Sequence, residues 1–571
     1  MRDWLSHRVR TSPDATALVH AGTGESWTFT ELDGMVEETA GRLVALGVAP
    51  GDHLGVVLEP RVEYVTLIHA AMRLGATLVP LGDGLTAREL GRQVETADVT
   101  VLVCGAETEA RAVEATDDVP VLSVDATVTA NATAVVSIYE FLPEPVTPAT
   151  WSREDVQLLL FTSGTTGDPK AVQLTMGNVL ANAVASVFRL GFDPGDRWLV
   201  TLSLHHMGGI GPVLRMPLYG TTVVLREEFE AGPAADDIDR YDVTGVSLVP
   251  TMLRRMLDSR GTLASSLRTV LLGGAPAPRE LVERCRDYSI PVYPTYGMTE
   301  TASQVATAPP DEAFGHVGTV GRPLFWTDVT VVDEDGERLP PGETGEFVVD
   351  GPTVSPGYYG DPEATAEAFG EFGLHTGDVG YVDRSGRLYV LNRVDDRIIT
   401  GGENVDPGEV ADVLRSHPGV RDVAVVGVPD AEWGERVSAL VVPETDELDR
   451  TDLEAYARER LAGFKIPRAV AFADELPRTV SGTVERDAVR ERLAAHDETD
   501  DGGESDGSDG IDSDDGESTE PTDDGDAADG ADRADAGESD GAGDDDGTDS
   551  DDAAAGDSDD TDDRRSPETE N

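Results

Sequence analysis

LLLFTSGTTGDPK, at Leu158–Lys170, is the most specific segment of the chain. An apolar run typical of a buried strand leads into a loop with four hydroxyl residues, two glycines and one lysine. The glycines let backbone N–H groups converge, the hydroxyls add donors, and the lysine adds positive charge. The loop is therefore predicted to hold phosphate oxygens through Thr162, Ser163, Gly164, Thr165, Thr166, Gly167 and Lys170.

Two familiar loops do not fit this segment. A Walker A loop needs Gly-Lys-Ser/Thr in succession, whereas Lys170 is followed by Ala171. A hydrolase nucleophile elbow needs Gly two residues before the serine, whereas Phe161 stands at that distance from Ser163. For this segment alone, an ordinary flexible turn rich in Ser, Thr and Gly remains the alternative.

Apolar runs alternate with amphipathic stretches on both sides of this loop. The runs that predict strands are His53–Leu58, Val99–Val103, Leu158–Phe161, Trp198–Leu202, Thr222–Leu225, Val246–Val249 and Val270–Leu272. The stretches that predict helices are Leu32–Leu46, Val62–Leu74, Asn178–Phe188 and Met252–Leu257. This alternation predicts an α/β fold in which helices sandwich largely parallel sheets.

The pattern changes after about residue 325. Turn signals between short strands predict a small antiparallel unit there. Beyond Asp395 the apolar spacing predicts a small α+β module, with helices near Pro407–Ser416 and Asp452–Ala462. We therefore expect a large N-terminal domain over residues 1–394, a C-terminal module over 395–496 and a tail over 497–571.

The charge of the chain limits its partners. The 571 residues include 110 Asp and Glu against 44 Lys and Arg, for a formal net charge of −66. Nucleic-acid and anionic-membrane binders need a net basic face, so both classes are excluded. Residues 497–571 contain 33 acidic and 3 basic residues and no aromatic residue, which predicts a disordered acidic tail. Its role is open between a solubilising polymer and a partner site.

The composition of the chain indicates the environment in which the protein works. Lys170 and Lys465 are the only lysines, and the carboxylate excess extends over the folded part, which suggests a halophilic protein. Cys104 and Cys285 lack metal-ligand spacing. Neither a membrane-spanning run nor a signal-peptide pattern is found. We expect a cytoplasmic protein that acts on small molecules, with no nucleic-acid or membrane partner; a homo-oligomer is left open.

A second motif follows an apolar run at Tyr296–Glu300, which reads YGMTE. It places an aromatic ring, a hydroxyl and a carboxylate within five residues. A nucleotide site uses such groups to contact adenine, to donate to phosphate and to hold Mg²⁺. Alone, this motif is equally compatible with an ordinary loop. Together with the first loop it predicts a nucleoside triphosphate site.

Four segments resemble the core motifs of the adenylate-forming acyl-CoA ligase superfamily: TSGTTGDPK at Thr162–Lys170, TYGMTE at Thr295–Glu300, HTGD at His375–Asp378 and NRVDDRIITGGENVDP at Asn392–Pro407. The resemblance covers about residues 1–495, with the motifs in the expected order. It implies that a carboxylate and ATP, with Mg²⁺, form an acyl adenylate and pyrophosphate, and that coenzyme A then forms the thioester. It also implies a mobile C-terminal lid that rotates between the two steps.

The resemblance assigns roles to individual residues. It implies that Thr162–Lys170 holds the β and γ phosphates, that Thr299 touches the α phosphate and that Glu300 holds Mg²⁺, with Lys170, Thr299 and Glu300 counted as catalytic. The adenine and ribose side is expected to comprise Gly273, Gly274, Ala275, Tyr296, Gly297, Asp378 and Arg393. The expected hinge is Asp395, and the expected coenzyme A contacts are Gly401, Gly402, Trp433 and Phe464. The two aromatic residues are equally compatible with a place in the lid core.

Within the superfamily, three segments look most similar to the ligases that act on 2-succinylbenzoate in menaquinone synthesis: Leu202–Gly220, Leu267–Gln304 and Gly401–Val420. This substrate has a second carboxylate, which needs a fixed cation when it is buried. The resemblance assigns that role to Arg215, places His206 at the acyl pocket as a catalytic gate, and makes Ser303 a further contact. The alternatives are a snorkelling surface arginine and a core histidine at His205 or His206.

One position departs from the superfamily pattern. That pattern ends in Pro-Arg-Thr-x-Ser-Gly-Lys, and this chain has Thr483 in place of the lysine. The resemblance implies that the lysine bridges the reacting carboxylate and the ribose, and losing such a donor costs on the order of 10² to 10³ in kcat. Slow adenylation, a substitute cation such as Lys465, and nucleotide binding without turnover remain open. A ligase for another aryl or medium-chain acid is the alternative among enzymes.

Overall fold

The structure, a computed structural model, describes the chain as far as residue 500 apart from a few short segments. The described residues are 1–116, 118–126, 135–162, 169–396, 398–400, 403–405, 407–430, 433–445, 448–478 and 484–500. Several predicted features lie outside them: the tail beyond residue 500, the loop residues Ser163, Gly164, Thr165, Thr166 and Gly167, the glycines Gly401 and Gly402, and Thr483. All the described residues belong to one compact unit.

The first large sheet ends at the predicted phosphate loop. Its seven described strands are, in spatial order, Val135–Ser137, Val121–Ser123, Val101–Cys104, His53–Val57, Thr77–Leu81, Val156–Phe161 and Ala171–Thr175. Neighbouring strands are parallel except for the last pair, which is antiparallel. The sequence did not predict the strand Ala171–Thr175. The loop therefore connects two antiparallel strands, and the next helix starts only at Met176.

The second large sheet has nine described strands. In spatial order they are Arg322–Pro323, Ser303–Thr307, Val292–Met298, Thr269–Leu272, Gly245–Leu248, Arg197–Val200, Thr222–Leu225, Thr16–His20 and Ser26–Thr28. The central strands are parallel, and the pairings at both ends of the sheet are antiparallel. The carboxyl ends of the parallel strands therefore face one edge, where ligand sites of open α/β sheets lie.

Helices join the two large sheets through a shared core. The helix Val62–Leu74 is buried along almost all of its length and ends at Gly75, whose φ is 80°. One hydrophobic cluster connects this helix to strands of both sheets, for example through Leu54 and Val223. The other helices within the described residues are Trp4–Val9, Phe29–Ala45, Ala87–Thr96, Glu109–Ala115, Met176–Leu190, Met207–Tyr219, Ala231–Arg240, Pro250–Arg260, Arg279–Asp287, Pro310–Gly315, Pro362–Ala368, Pro407–Arg415, Arg450–Arg458 and Arg486–Asp500.

A small antiparallel sheet follows, as the turn signals predict. Its strands are Asp328–Val332, Gly345–Asp350, Gly373–Val382 and Phe369–Gly370, with Leu388–Arg393 also paired to Gly373–Val382. Every pairing in it is antiparallel. A hydrophobic cluster that includes Phe347 and Leu388 packs this sheet against Tyr296 of the nine-stranded sheet. This contact brings the small sheet to the predicted nucleotide site.

The C-terminal α+β module has its own sheet and core. The strands are Glu403–Val405, Ile398–Thr400, Gly434–Pro443 and Val420–Asp430, with Ala469–Phe472 paired in parallel to Gly434–Pro443. One cluster packs the helices Pro407–Arg415 and Arg450–Arg458 on one face of the sheet through Val410, Leu414 and Leu453. A second packs the helix Arg486–Asp500 on the other face through Val489 and Leu493.

These elements confirm the predicted fold class. Each predicted apolar run overlaps a strand, and each predicted amphipathic stretch overlaps a helix, with boundaries that differ by a few residues. The domain boundaries at residues 394 and 496 stay predictions, and the helix Arg486–Asp500 extends past the second of them. Among the described helices, none is both long enough and apolar enough to cross a membrane.

Candidate active site

Two neighbouring strands of the nine-stranded sheet end at the predicted adenine side of the site. Thr269–Leu272 and Val292–Met298 are parallel partners, and they lead into Gly273 and Thr299 respectively. A Cβ atom on Gly273 would lie 2.7 Å from Cγ2 of Thr295, which is too close for any larger residue. The structure therefore brings Gly273, which Gly274 and Ala275 follow, next to the strand that carries Tyr296.

The turn after Tyr296 is tightly constrained. A Cβ atom on Gly297 would lie 1.7 Å from the backbone oxygen of Ser303, so only glycine fits. Two residues after Glu300, Ala302 has a φ of 54° and Ser303 a φ of 122°, which non-glycine residues rarely adopt. Such strain persists where the surroundings hold it, and it clusters at functional sites. This turn fixes the positions of Thr299, Glu300 and Ser303.

The predicted ribose contacts form one connected group. Tyr296 donates from its hydroxyl to Oδ2 of Asp378 at 2.7 Å, and Nη1 of Arg393 lies 3.2 Å from Oδ1 of the same carboxylate. Asp378 and Arg393 are cross-strand partners in the small sheet. Burial raises the pKa of Asp378, and the neighbouring Arg393 charge opposes that rise. The group offers a carboxylate acceptor and guanidinium donors, which suit a diol.

Glu300 and the end of the phosphate loop meet at Tyr358. Glu300 is 6% exposed, and its Oε1 accepts a hydrogen bond from the Tyr358 hydroxyl at 3.1 Å. Burial raises the pKa of Glu300. Nζ of Lys170 lies 4.9 Å from the centre of the Tyr358 ring. Thr162 donates its backbone N–H to the carbonyl of Lys170 at 3.1 Å, which brings the two ends of the loop together.

Glu300 is the carboxylate at this site that a metal ion could bind. No group of three or more His, Cys, Asp or Glu side chains that could hold a metal is found in the part of the chain that the structure describes. Mg²⁺ does not require such a cage, because it usually binds one or two protein carboxylates together with water and substrate phosphates. The single carboxylate of Glu300, near Lys170, is consistent with that mode.

Arg215 is buried and lines a cavity. Its residue is 7% exposed, and no carboxylate among the described residues pairs with it. Nη2 donates to Oδ1 of Asn182 at 2.7 Å, whereas Nε has no partner. The cavity opens to solvent, and its lining includes Phe192, Trp198, Tyr219 and Ser303. The alternative of a snorkelling surface arginine is therefore wrong.

Asn182 connects Arg215 to the strained turn. Its Nδ2 donates to the carbonyl of Thr301 at 3.3 Å and to that of Gln304 at 3.0 Å. Asn182 was not predicted from the sequence. The available signal was an amide side chain on the otherwise apolar face of Met176–Leu190, together with Asn178 one turn earlier. Asn182 therefore holds the Arg215 guanidinium in a fixed place relative to Ser303.

The two histidines differ in exposure. His206 is exposed to solvent. Neighbouring protein atoms still desolvate its ring in part, and this lowers its pKa. His205 is half-buried, and burial followed by the His206 charge lowers its pKa to about 3. The rings lie 4.2 Å apart. Met207 and Gly208, which follow His206, line the Arg215 cavity. His206 thus directly precedes two residues of the cavity lining, and because it is exposed the core alternative is wrong for it.

The C-terminal module carries the remaining predicted contacts. Trp433 is half-buried, and the Arg468 guanidinium lies 3.7 Å from the centre of its ring. Phe464 packs against the core of the module. Lys465 forms an ion pair with Glu409 at 2.5 Å. Asp395 lies in the short turn Val394–Asp396, between the strand that ends at Arg393 and the first strand of the module.

Comparison with known proteins identifies the family. The AMP-binding enzyme family model matches residues 5–359, and the model of the AMP-binding enzyme C-terminal domain matches residues 409–483. The chain belongs to the AMP-binding enzyme family. The resemblance seen in the four sequence motifs is thereby confirmed, and the two matches cover most of the described residues.

Two curated relatives share the name 2-succinylbenzoate–CoA ligase. A 2-succinylbenzoate–CoA ligase from Bacillus mycoides is 38% identical over 492 residues, which cover 86% of this chain and 98% of the relative. A 2-succinylbenzoate–CoA ligase from Geobacillus kaustophilus is 39% identical over 502 residues, which cover 87% of this chain and 99% of the relative. The similarity therefore extends over nearly the whole length of both relatives.

Solved structures of one AMP-binding enzyme, the o-succinylbenzoate CoA synthetase from Bacillus subtilis, are also similar. Its complex with the acyl adenylate OSB-AMP has a TM-score of 0.77 and 35% identity, over 86% of this chain and 98% of that chain. Its complex with ATP and magnesium has the same TM-score and identity, over 86% and 99%. A double mutant bound to the product analogue OSB-NCoA has a TM-score of 0.65, at 35% identity over 86% and 98%.

Proposed function

We propose that this AMP-binding enzyme converts 2-succinylbenzoate, ATP and coenzyme A into 2-succinylbenzoyl-CoA, AMP and pyrophosphate. The buried guanidinium of Arg215, which lacks a described carboxylate partner in an aromatic-lined cavity, carries the proposal. Asn182 accepts a hydrogen bond from that guanidinium and donates one to the carbonyl of Thr301, in the turn that carries Glu300. The shared name of the curated relatives supports the same substrate.

The cavity suits a second carboxylate for an electrostatic reason. A guanidinium buried without a counter-charge is unfavourable, and so is a buried carboxylate without a cation. A substrate that brings a carboxylate to Arg215 resolves both costs, through charge-assisted hydrogen bonds to the planar guanidinium. The aromatic residues of the cavity would contact the benzene ring, and Ser303 and His206 would border the acyl chain.

Nucleotide binding is assigned to the groups described above. Asp378 and Arg393 would hold the ribose hydroxyls, with Tyr296 and Gly273, Gly274 and Ala275 beside adenine. Lys170 and the loop from Thr162 would hold the β and γ phosphates, and Thr299 would donate to the α phosphate. Glu300 would hold Mg²⁺, which when bound neutralises the charge on the phosphates. In this arrangement the protein contributes mainly position and electrostatic stabilisation.

Residues 395–496 are assigned to a lid that serves the second step. We propose that it turns about Asp395 and brings Gly401, Gly402 and Trp433 to coenzyme A. Phe464 is a weaker candidate, because it packs on the core of the module. A cytoplasmic, halophilic enzyme fits the two substrates ATP and coenzyme A, the buried free thiols of Cys104 and Cys285, and the acidic composition.

A panel of acids tests the proposed function. The full chain, with Mg²⁺ and coenzyme A, is assayed for ATP-dependent AMP release across a series of NaCl concentrations. We expect 2-succinylbenzoate to be the preferred acid and the rate to rise with salt, because salt screens the repulsion between surface carboxylates. Equal rates with monocarboxylic aryl acids would reject the substrate. Full activity without added salt would reject the halophilic assignment alone.

Restoring the superfamily lysine tests the first step. We expect Thr483→Lys to accelerate ATP–pyrophosphate exchange. The acceleration should be smaller than the factor of about 10² to 10³ that one preorganised donor commonly contributes, because another cation already supplies part of the lysine's role. The exchange rate with 2-succinylbenzoate is the measurement, with thioester formation from supplied acyl adenylate as the internal control. An acceleration of the full size would show that the role is unfilled and that wild-type adenylation is impaired.

A further inference from the structure

Arg486 brings a cation from the C-terminal module to the ribose-binding pair. Its Nη1 forms an ion pair with Oδ2 of Asp396, and the side chains are 36% and 12% exposed respectively. Asp396 ends the short turn Val394–Asp396, which follows directly on the strand that ends at Arg393. The ion pair therefore lies at the turn that follows Arg393, whose Nη1 contacts Asp378.

The charges of Arg486, Arg393 and Asp378 act on one another. Burial, followed by the charges of Arg490 and Arg393, lowers the pKa of Arg486 to about 10, and the charge of Asp378 opposes this shift. The Arg486 charge in turn lowers the pKa of Asp378. Arg486 stays protonated at neutral pH.

Arg486 is attached to the C-terminal module and not to the ribose-binding pair. It begins the helix Arg486–Asp500, which packs on Val420–Asp430 and Ala469–Phe472. Val489 and Leu493 are fully buried in that contact. Any rotation of the module about the turn Val394–Asp396 would therefore change the distance between Arg486 and Asp378. The chain superposes better on the acyl-adenylate complex than on the product-analogue complex of the Bacillus subtilis relative, with TM-scores of 0.77 and 0.65.

We propose that Arg486 is a positioning residue for the first half-reaction; the proposal rests on the proposed ligase function. In that step a substrate carboxylate oxygen forms a bond to the α phosphorus, and the bond from this phosphorus to the bridging oxygen breaks. Pyrophosphate leaves with the bonding electrons, and no proton is transferred. Arg486 holds the helix Arg486–Asp500 to the turn Val394–Asp396, which follows the ribose-binding Arg393, while this occurs.

The two half-reactions separate this role from a structural one. Arg486→Ala, Arg486→Gln and Arg486→Lys are compared in the full chain, with Arg492→Ala as the matched control. Arg492 lies on the same helix and donates to the backbone of Glu475, away from the ribose-binding pair. ATP–pyrophosphate exchange reports the first step, and thioester formation from supplied acyl adenylate and coenzyme A reports the second. Thermal unfolding of each variant reports whether it is folded.

We expect Arg486→Ala and Arg486→Gln to slow exchange by about tenfold to a hundredfold, the size of effect that misplaced reacting groups produce. Thioester formation should change by less than about twofold, and Arg486→Lys should recover most of the exchange because it keeps one ion pair. Unchanged exchange, or an equal fall in both steps, would overturn the proposal. If wild type prefers another acid, the proposed substrate fails, and the same ratios measured with that acid still decide the role of Arg486.

Discussion

Replacing Arg215 by alanine is expected to raise the KM for 2-succinylbenzoate by about tenfold to a thousandfold. Losing one partner of a buried, hydrogen-bonded charge pair costs roughly 2–4 kcal/mol, and each 1.4 kcal/mol is about tenfold. The effect should be large because the Arg215 guanidinium is 7% exposed and has no carboxylate partner among the described residues. Steady-state kinetics with saturating ATP and coenzyme A give the KM.

An acid without the second carboxylate makes this test specific. For 4-oxo-4-phenylbutanoate, the Arg215→Ala change should alter KM by less than about threefold, because this acid has no ring carboxylate to pair with Arg215. The matched control is Arg189→Ala, on the helix that carries Asn182. Arg189 donates to the carbonyl of Pro323 at 3.0 Å and does not line the cavity. An unchanged KM for 2-succinylbenzoate would remove Arg215 from the site.

Replacing Glu300 by glutamine is expected to lower kcat by about 10² to 10³. The change keeps the size of the side chain but removes the carboxylate charge that is assigned to Mg²⁺, and a metal supplies several kcal/mol of transition-state stabilisation in such reactions. The Mg²⁺ concentration that gives half-maximal pyrophosphate exchange should rise by at least about tenfold. Exchange rates across a Mg²⁺ series measure both effects.

A second buried glutamate provides the control for Glu300. Glu312 is also buried and pairs with Arg322 at 2.5 Å, away from Tyr358 and Lys170. Glu312→Gln should lower the unfolding temperature and leave the Mg²⁺ dependence unchanged, because it loses only a structural ion pair. If Glu300→Gln shows the wild-type Mg²⁺ dependence, the metal is held by other groups.

Local patterns in the sequence predicted much of the fold. The run VEYVTLIHAAMRL predicted the helix Val62–Leu74 with its observed ends, because the helical apolar period and the following Gly75 are both local signals. The strand Ala171–Thr175 was missed, since five residues beside a glycine-rich loop carry no periodic pattern of their own. Its pairing with Val156–Phe161 depends on a hydrogen-bond partner that only the folded chain supplies.

The residues of the candidate site were also predicted only in part. Motifs predicted Tyr296, Glu300, Asp378 and Lys170, because a phosphate or metal site needs particular residue types at short spacing. Asn182, Tyr358 and Arg486 were missed. Each of them acts through a partner that is distant in sequence, such as Glu300 for Tyr358, 58 residues away, and Asp396 for Arg486, 90 residues away. Nothing in the local sequence of these residues marks the partner.

The sequence by itself determined the family, the order of the sheets and modules, and the residue types of the nucleotide site, because periodicity and turn chemistry act over a few residues. Only the tertiary structure decided that Tyr296 reaches Asp378 across 82 residues and that Arg215 is buried against Asn182. Burial and charge pairing depend on which surfaces meet. Burial raises the pKa of Asp378 and leaves Nε of Arg215 without a hydrogen-bond partner. Those contacts form only when distant strands and helices pack into one core.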